Sequence, residues 1–250
     1  MTKSDMSPVS PLDPLLALVL LTRLPLPRLP DRLFARQALA AWAYPLAGLV
    51  VALLAIAVGA AGLAMGLPAP AVAGLILAVL VISTGAMHED GLADTADGFW
   101  GGFDRDRRLA IMKDSQIGTY GVLALILSQG LRWTALAGLV AAGALWPVVG
   151  AACLSRGVLP FMMRALPNAR GSGLSHKVGS PGWGTAIFAL GLGICLFLLS
   201  GGGLLHILPA ALALVVVAVV AYRKIGGQTG DILGATQQVT EITLLLALAA

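Results

Sequence analysis

Residues 69–87 read APAVAGLILAVLVISTGAM, a stretch without a single charge, and residues 88–98 continue directly as HEDGLADTADG. The first stretch has the roughly 17–25 apolar residues that a helix needs to cross a bilayer. The second sets four carboxylates, Glu89, Asp90, Asp94 and Asp97, against the end of that span. With Asp104, Asp106 and Asp114 they bring seven of the chain's 12 acidic residues within 26 positions. A chain this sparing of charge concentrates it where chemistry is done.

Outward from this point the chain is apolar throughout. Hydrophobic residues make up 58% and charged residues 11%, with a mean hydropathy of +0.90, against about 45–50% and about 25% in soluble globular domains. With no water in the bilayer core to satisfy backbone groups, spanning elements are helices or a closed barrel, and long Ala/Leu/Val runs without alternation favour helices. The expected spans are 37–66, 69–87, 119–142, 145–163, 183–200, 204–222 and 239–250. The last is too short to cross alone. Leu15 to Leu21, hemmed in by Pro14, Pro25, Pro27 and Pro30, reads as an interfacial or re-entrant segment. No cleaved signal is expected, since acids and prolines stand where a basic region and a small-residue cleavage site belong. The sequence therefore predicts an all-α, polytopic integral membrane protein of about 6–7 transmembrane helices plus that N-terminal segment, with residues 1–250 forming a single membrane-embedded domain.

Lys and Arg accumulate in cytoplasmic loops. The connections 22–36, 99–114, 164–177 and 223–224 carry 13 of the 16 basic residues, and those at 66–70, 143–146 and 201–206 carry none. The two sets alternate along the chain, which places the acidic segment, the loop around Arg170 and the loop Gly226 to Asp231 together on the cytoplasmic face. The net charge of +4 then reflects topology and anionic lipid rather than nucleic acid. Cys153 and Cys195 both fall in apolar spans and read as small hydrophobes. Asp13, outside the cluster, is expected to be dispensable for activity.

At about 100° per residue, Asp94 lies about 40° and Asp97 about 20° from the direction of Asp90, so all three share a helical face. Like charges that close call for a cation, and hard oxygen ligands without Cys or paired His favour Mg²⁺ or Mn²⁺. Magnesium leaves positions open for phosphate oxygens. Spacing alone leaves a second reading open, a solvated acidic face that complements a helix dipole. Lys113-Asp114-Ser115 and Thr229-Gly230-Asp231 each put a hydroxyl and a carboxylate before a helix, the first with a cation and the second with a glycine. Either is a phosphate-handling turn or an ordinary helix cap. Arg132, Arg156, Gln238 and Glu241 lie inside spans, where a charge faces a cavity or a partner. For Arg156 that partner is a phosphate or an acid of the cluster, and simple pairing between helices is the competing reading for it and for Arg132. His88 reads as a base, a ligand or a hydrogen-bond partner of the neighbouring acids.

These blocks in order, with Leu21-Thr22-Arg23-Leu24-Pro25 and Tyr44-Pro45-Leu46-Ala47-Gly48 before them, resemble the adenosylcobinamide-GDP ribazoletransferase family, also called cobalamin 5′-phosphate synthase. The match runs from about residue 12 over essentially the whole chain. Glu89 stands where the family often has an apolar residue, which leaves the spacing of the three aspartates unchanged. The resemblance implies a transferase of the inner (cytoplasmic) membrane that joins adenosylcobinamide-GDP to α-ribazole or its 5′-phosphate and releases GMP, with Mg²⁺ as cofactor. It further implies metal binding by Glu89, Asp90, Asp94 and Asp97, and catalytic roles for Asp94, Lys113 and Asp114. Substrate contacts are expected from Arg23, Ser115, Arg156, Arg170, Thr229, Gly230, Asp231, Gln238 and Glu241. Expected partners are the two substrates and membrane lipid, with association with neighbouring cobalamin-assembly enzymes left open. Two rival readings are a CDP-alcohol phosphotransferase, whose pattern has Ala-Arg after its first Asp-Gly, and a cation-coupled transporter.

Overall fold

The computed structural model describes residues 9–250. Residues 1–8, which hold part of the segment read above against a cleaved signal, lie outside the described residues. The described residues form helices and no strand, in the order α1 (Asp13–Leu21), α2 (Asp31–Phe34), α3 (Gln37–Ala40), α4 (Tyr44–Ala64), α5 (Ala69–Thr84), α6 (Met87–Gly101) and α7 (Arg105–Ile111). Then follow α8 (Thr119–Ala141), α9 (Trp146–Gly157), α10 (Leu159–Ala165), α11 (Leu174–Val178), α12 (Trp183–Leu199), α13 (Leu204–Ile225) and α14 (Gly230–Ala249). Prolines sit in the first turns of α4, α5, α9 and α10, where the missing N–H costs nothing and the fixed φ suits a helix start.

Five stretches are long and apolar enough to cross a membrane: Gln37–Ala64, Thr119–Ala141, Trp146–Ala165, Leu204–Ile225 and Gly230–Ala249. The chain is thus a multi-pass helical membrane protein. Three of the expected spans differ in detail. The span at 69–87 is broken: α5 ends at Gly85 in the left-handed region, Ala86 follows with φ 56°, and α6 leaves at 85° to α5. A left-handed residue with a Cβ costs about 1–2 kcal/mol, so packing imposes this bend. The segment at 183–199 is a shorter apolar helix. The last span is not the short run 239–250 but a 20-residue helix, capped at Thr229, whose hydroxyl accepts from Ile232 N–H at 3.3 Å. Its polar residues hid its true start.

The core of Val51, Ile76, Leu136, Leu154, Phe197, Leu244 and Leu245 joins α4, α5, α8, α9, α12 and α14. α14 is central, packed on α6, α8, α9 and α13. α13 lies at the edge, exposing Leu208, Leu212, Val215 and Val219, as a lipid-facing helix does. α1 is short and half-buried, with Leu16, Ala17 and Leu21 turned inward. Asp13 is not peripheral: it is 1% exposed, accepts from Arg36 Nε and Nη2 at 3.2 Å and from Trp42 Nε1 at 2.9 Å, and so ties α1 to the next segment.

Candidate active site

α6 carries the acidic segment, and its position follows from two close approaches. At Gly91 an added Cβ would lie 2.8 Å from the Asp231 carbonyl oxygen, and at Gly234 one would lie 3.1 Å from the His88 carbonyl oxygen. Side chains at these points would push α6 and α14 apart, so the glycines let the two backbones touch. This contact brings Asp90 and Asp94 to the first turn of α14, which holds Asp231.

Asp90 is exposed and Asp94 half-buried. Among the described residues no protein group donates a hydrogen bond to either carboxylate. Both line a cavity of about 330 Å³ closed on the other side by Lys113, Asp114, Ser115, Gln116 and Ile117. Asp94 sits in the field of three further acids, Asp231, Asp90 and Asp97, with the charge of Arg170 opposing them. Asp114 accepts from Gln116 N–H at 3.1 Å, which shapes the loop and leaves its second oxygen to the cavity. A second cavity of about 500 Å³, lined by Asp97, Arg107, Asp114, Thr119 and Tyr120, adjoins the first across the same loop.

The remaining members of the expected site divide into those at this end of the bundle and those built into its frame. Arg170 pairs with Asp231 at 2.9 Å and donates to the Leu109 carbonyl at 3.2 Å, so both stand at the rim. Gly230 is exposed beside them. Asp97 lies on the predicted face, yet its two oxygens accept from Gly118 N–H at 2.7 Å and Gly121 N–H at 2.9 Å. It caps the N-terminus of α8, where free N–H groups attract an anion. Thr229 is the cap of α14 and 1% exposed. Arg23 is exposed and packs over the break at Gly85, its N–H donating to the Ser83 carbonyl at 2.7 Å.

Glu89 stands apart from the cavity that Asp90 and Asp94 line. It is buried, and its Oε1 pairs with Arg132 at 2.6 Å while its Oε2 has no hydrogen-bond partner. Arg132 also pairs with Glu241 at 2.7 Å, and Glu241 with Arg156 at 3.3 Å. Gln238 donates to Glu89 at 3.1 Å and Gln237 to Glu241 at 2.6 Å, and Ser155 completes the group. Arg156, Gln238 and Glu241, expected at substrate, are therefore spent in a buried ionic network joining α6, α8, α9 and α14. Arg132, for which pairing between helices is one of the two expectations, is the centre of this network. Its one signal was a guanidinium in the middle of an apolar helix, which requires a buried partner.

The cobalamin-5-phosphate synthase family model matches residues 13–249. The chain belongs to that family. It is 49% identical over 247 residues to the adenosylcobinamide-GDP ribazoletransferase of Mesorhizobium japonicum, covering 94% of this chain and 91% of that one. It is 45% identical over 242 residues to the enzyme of that name from Sinorhizobium sp, covering 92% of each. The Bradyrhizobium diazoefficiens protein of the same name is 47% identical over 215 residues, with 84% and 83% covered. No solved structure matches. Family membership sets aside the lipid phosphotransferase and transporter readings.

Proposed function

We propose that this protein joins adenosylcobinamide-GDP to α-ribazole, or to its 5′-phosphate, giving adenosylcobalamin or its 5′-phosphate and GMP. The observation that carries this reading is the pair of unpartnered carboxylates Asp90 and Asp94 facing Lys113-Asp114-Ser115, in a chain of the cobalamin-5-phosphate synthase family. The ribose 3′-hydroxyl forms a bond to the phosphorus nearest the corrinoid, the bridging P–O bond breaks, and GMP leaves with the second phosphate. Asp94 or Asp114 accepts the hydroxyl proton. Lys113, and Arg170 held at the rim by Asp231, offset charge on the departing phosphate.

Magnesium belongs to this reading. Among the described residues no three His, Cys, Asp or Glu side chains converge closely enough to hold an ion by themselves. That suits Mg²⁺, which takes one or two carboxylates plus substrate phosphates and water rather than an all-protein cage. Asp90 and Asp94, with their oxygens unclaimed, are the residues that would hold it. When bound it supplies charge neutralisation at the diphosphate. The excess of Lys and Arg in the loops on this side supports a site on the cytoplasmic face of the inner membrane.

The test is GMP release by detergent-solubilised protein given adenosylcobinamide-GDP and α-ribazole, with Mg²⁺ and with a chelator. Mg²⁺-dependent GMP together with a cobalamin product is expected. Folded protein that yields neither from verified substrates would overturn the reading.

A further inference from the structure

The cavity of about 500 Å³ across the loop 113–117 from the acidic one is lined by Arg107 and Ala110 of α7, by Asp114 and Gln116, and by Thr119 and Tyr120 of α8. Asp114, Gln116 and Ile117 line both cavities, so one ligand can run around this loop from either into the other. Nothing done by Asp90 or Asp94 requires the second space.

The three arginines of α7 divide at this cavity. Arg105 donates to the carbonyls of Ile225 at 3.0 Å and Ala169 at 2.8 Å. Arg108 donates to those of Gly102 at 3.0 Å, Lys224 at 3.1 Å and Phe103 at 3.0 Å. These two fasten α7 in place. Arg107 engages Asp104 only through its backbone N–H, at 2.9 Å. Among the described residues its guanidinium has no partner, and it lines the cavity. Tyr120 is 48% exposed and, among the described residues, stacks on no ring of the protein. A guanidinium fork and an aromatic face together recognise a nucleobase, the first by paired N–H donors and the second by stacking.

Size and hydrogen bonding narrow the occupant. A cavity of about 150 Å³ holds one benzene ring, roughly 25 Å³ per non-hydrogen atom, so this one takes about 20 such atoms, a nucleoside and not a corrin macrocycle. Guanosine and α-ribazole are both of that size, and Arg107 separates them. Guanine offers O6 and N7 side by side as acceptors, the pair that an arginine fork binds. Adenine puts an amino donor in place of O6, and the benzimidazole of α-ribazole has one free ring nitrogen and no carbonyl. Placement agrees with guanosine. In an in-line displacement the leaving group departs on the side of the phosphorus opposite the attacking hydroxyl, and the loop 113–117 gives the two sides separate compartments.

We infer that this cavity seats the guanosine of adenosylcobinamide-GDP. Arg107 donates to guanine O6 and N7, Tyr120 stacks on the ring, and the free oxygen of Asp114 accepts from a ribose hydroxyl, as carboxylates do in nucleotide sites. Asp94 is then the acceptor of the attacking proton. The identity of the occupant rests on the ribazoletransferase reading.

The test uses the full-length chain in detergent, without added lipid, and reads nucleotides as competitors. In the wild type GMP inhibits, and AMP does so about tenfold or more weakly, the discrimination of one bidentate contact. Arg107→Ala weakens inhibition by GMP and raises KM for adenosylcobinamide-GDP by about the same factor. KM for α-ribazole and the unfolding temperature stay near wild type, because the side chain fastens nothing. Arg107→Gln, whose amide matches adenine N6 and N7, moves the preference from GMP toward AMP, an exchange that a merely structural arginine would not produce. Equal competition by GMP and AMP in the wild type, or a preference for GMP that survives in both variants, overturns the proposal. Calorimetric binding of GMP needs no turnover. Its loss in Arg107→Ala supports the site even where wild-type protein releases no GMP, a result that would strike the functional reading alone. Its retention in Arg107→Ala, or its absence from wild type, overturns the site.

Discussion

Two faces of α6 treat negative charge in opposite ways. On the inward face Glu89 is buried and bonded to Arg132 at 2.6 Å, within a network that also satisfies Glu241. One residue later Asp90, and a turn beyond it Asp94, face a cavity with no protein donor at either carboxylate. A charge in an apolar medium must be matched. Where the protein does the matching, the result is frame; where it does not, the site is left to a ligand. Asp97 stands between, its charge taken up by two N–H groups of α8.

This contrast can be broken by mutation, and the largest effect is expected where no partner exists. Asp94→Asn keeps the shape and loses the charge, so GMP release should fall by about 10²–10⁴-fold while the melting temperature in detergent stays near wild type. Arg132→Met should do the reverse. It strands Glu89, while Glu241 keeps Arg156 and Gln237, and removing one partner of a buried pair costs about 3–5 kcal/mol, read as lost yield and a lower unfolding temperature. Adding Glu89→Gln should restore part of that stability. Gly91→Ala sharpens the geometric half of the comparison: its Cβ meets the Asp231 carbonyl, forcing α6 from α14 at about 1–3 kcal/mol and lowering activity in the folded fraction. Thr229→Ala removes only the cap of α14 and should cost about 1 kcal/mol, with KM unchanged. A fall in kcat as steep as that of Asp94→Asn would give Thr229 a place at substrate.

Much of this was legible in the sequence. The apolar spans, the acidic helix and the blocks at Lys113 and Thr229 stand out because hydropathy and helical period are local properties. The shared face of Asp90, Asp94 and Asp97 follows from a 100° step, and the same step should have separated Glu89 from Asp90. What the local pattern does not contain is the partner. Arg132 lies 43 positions from Glu89 and 109 from Glu241, so nothing near Glu89 shows whether it is paired or free. The start of α14 is concealed for the same reason: Gln237, Gln238 and Glu241 interrupt the apolar run, and their buried partners lie far away in sequence. The break at Gly85 and Ala86 is set by packing against Arg23 and α6, with only the glycine as a local cue.

The most direct test of this division of labour is one paired measurement on purified Asp94→Asn protein: rate of GMP release and unfolding temperature, each beside wild type. A lost rate with an unaltered unfolding temperature is the predicted result. Retained turnover, or a rate lost only in step with stability, would contradict it and make Asp94 part of the frame.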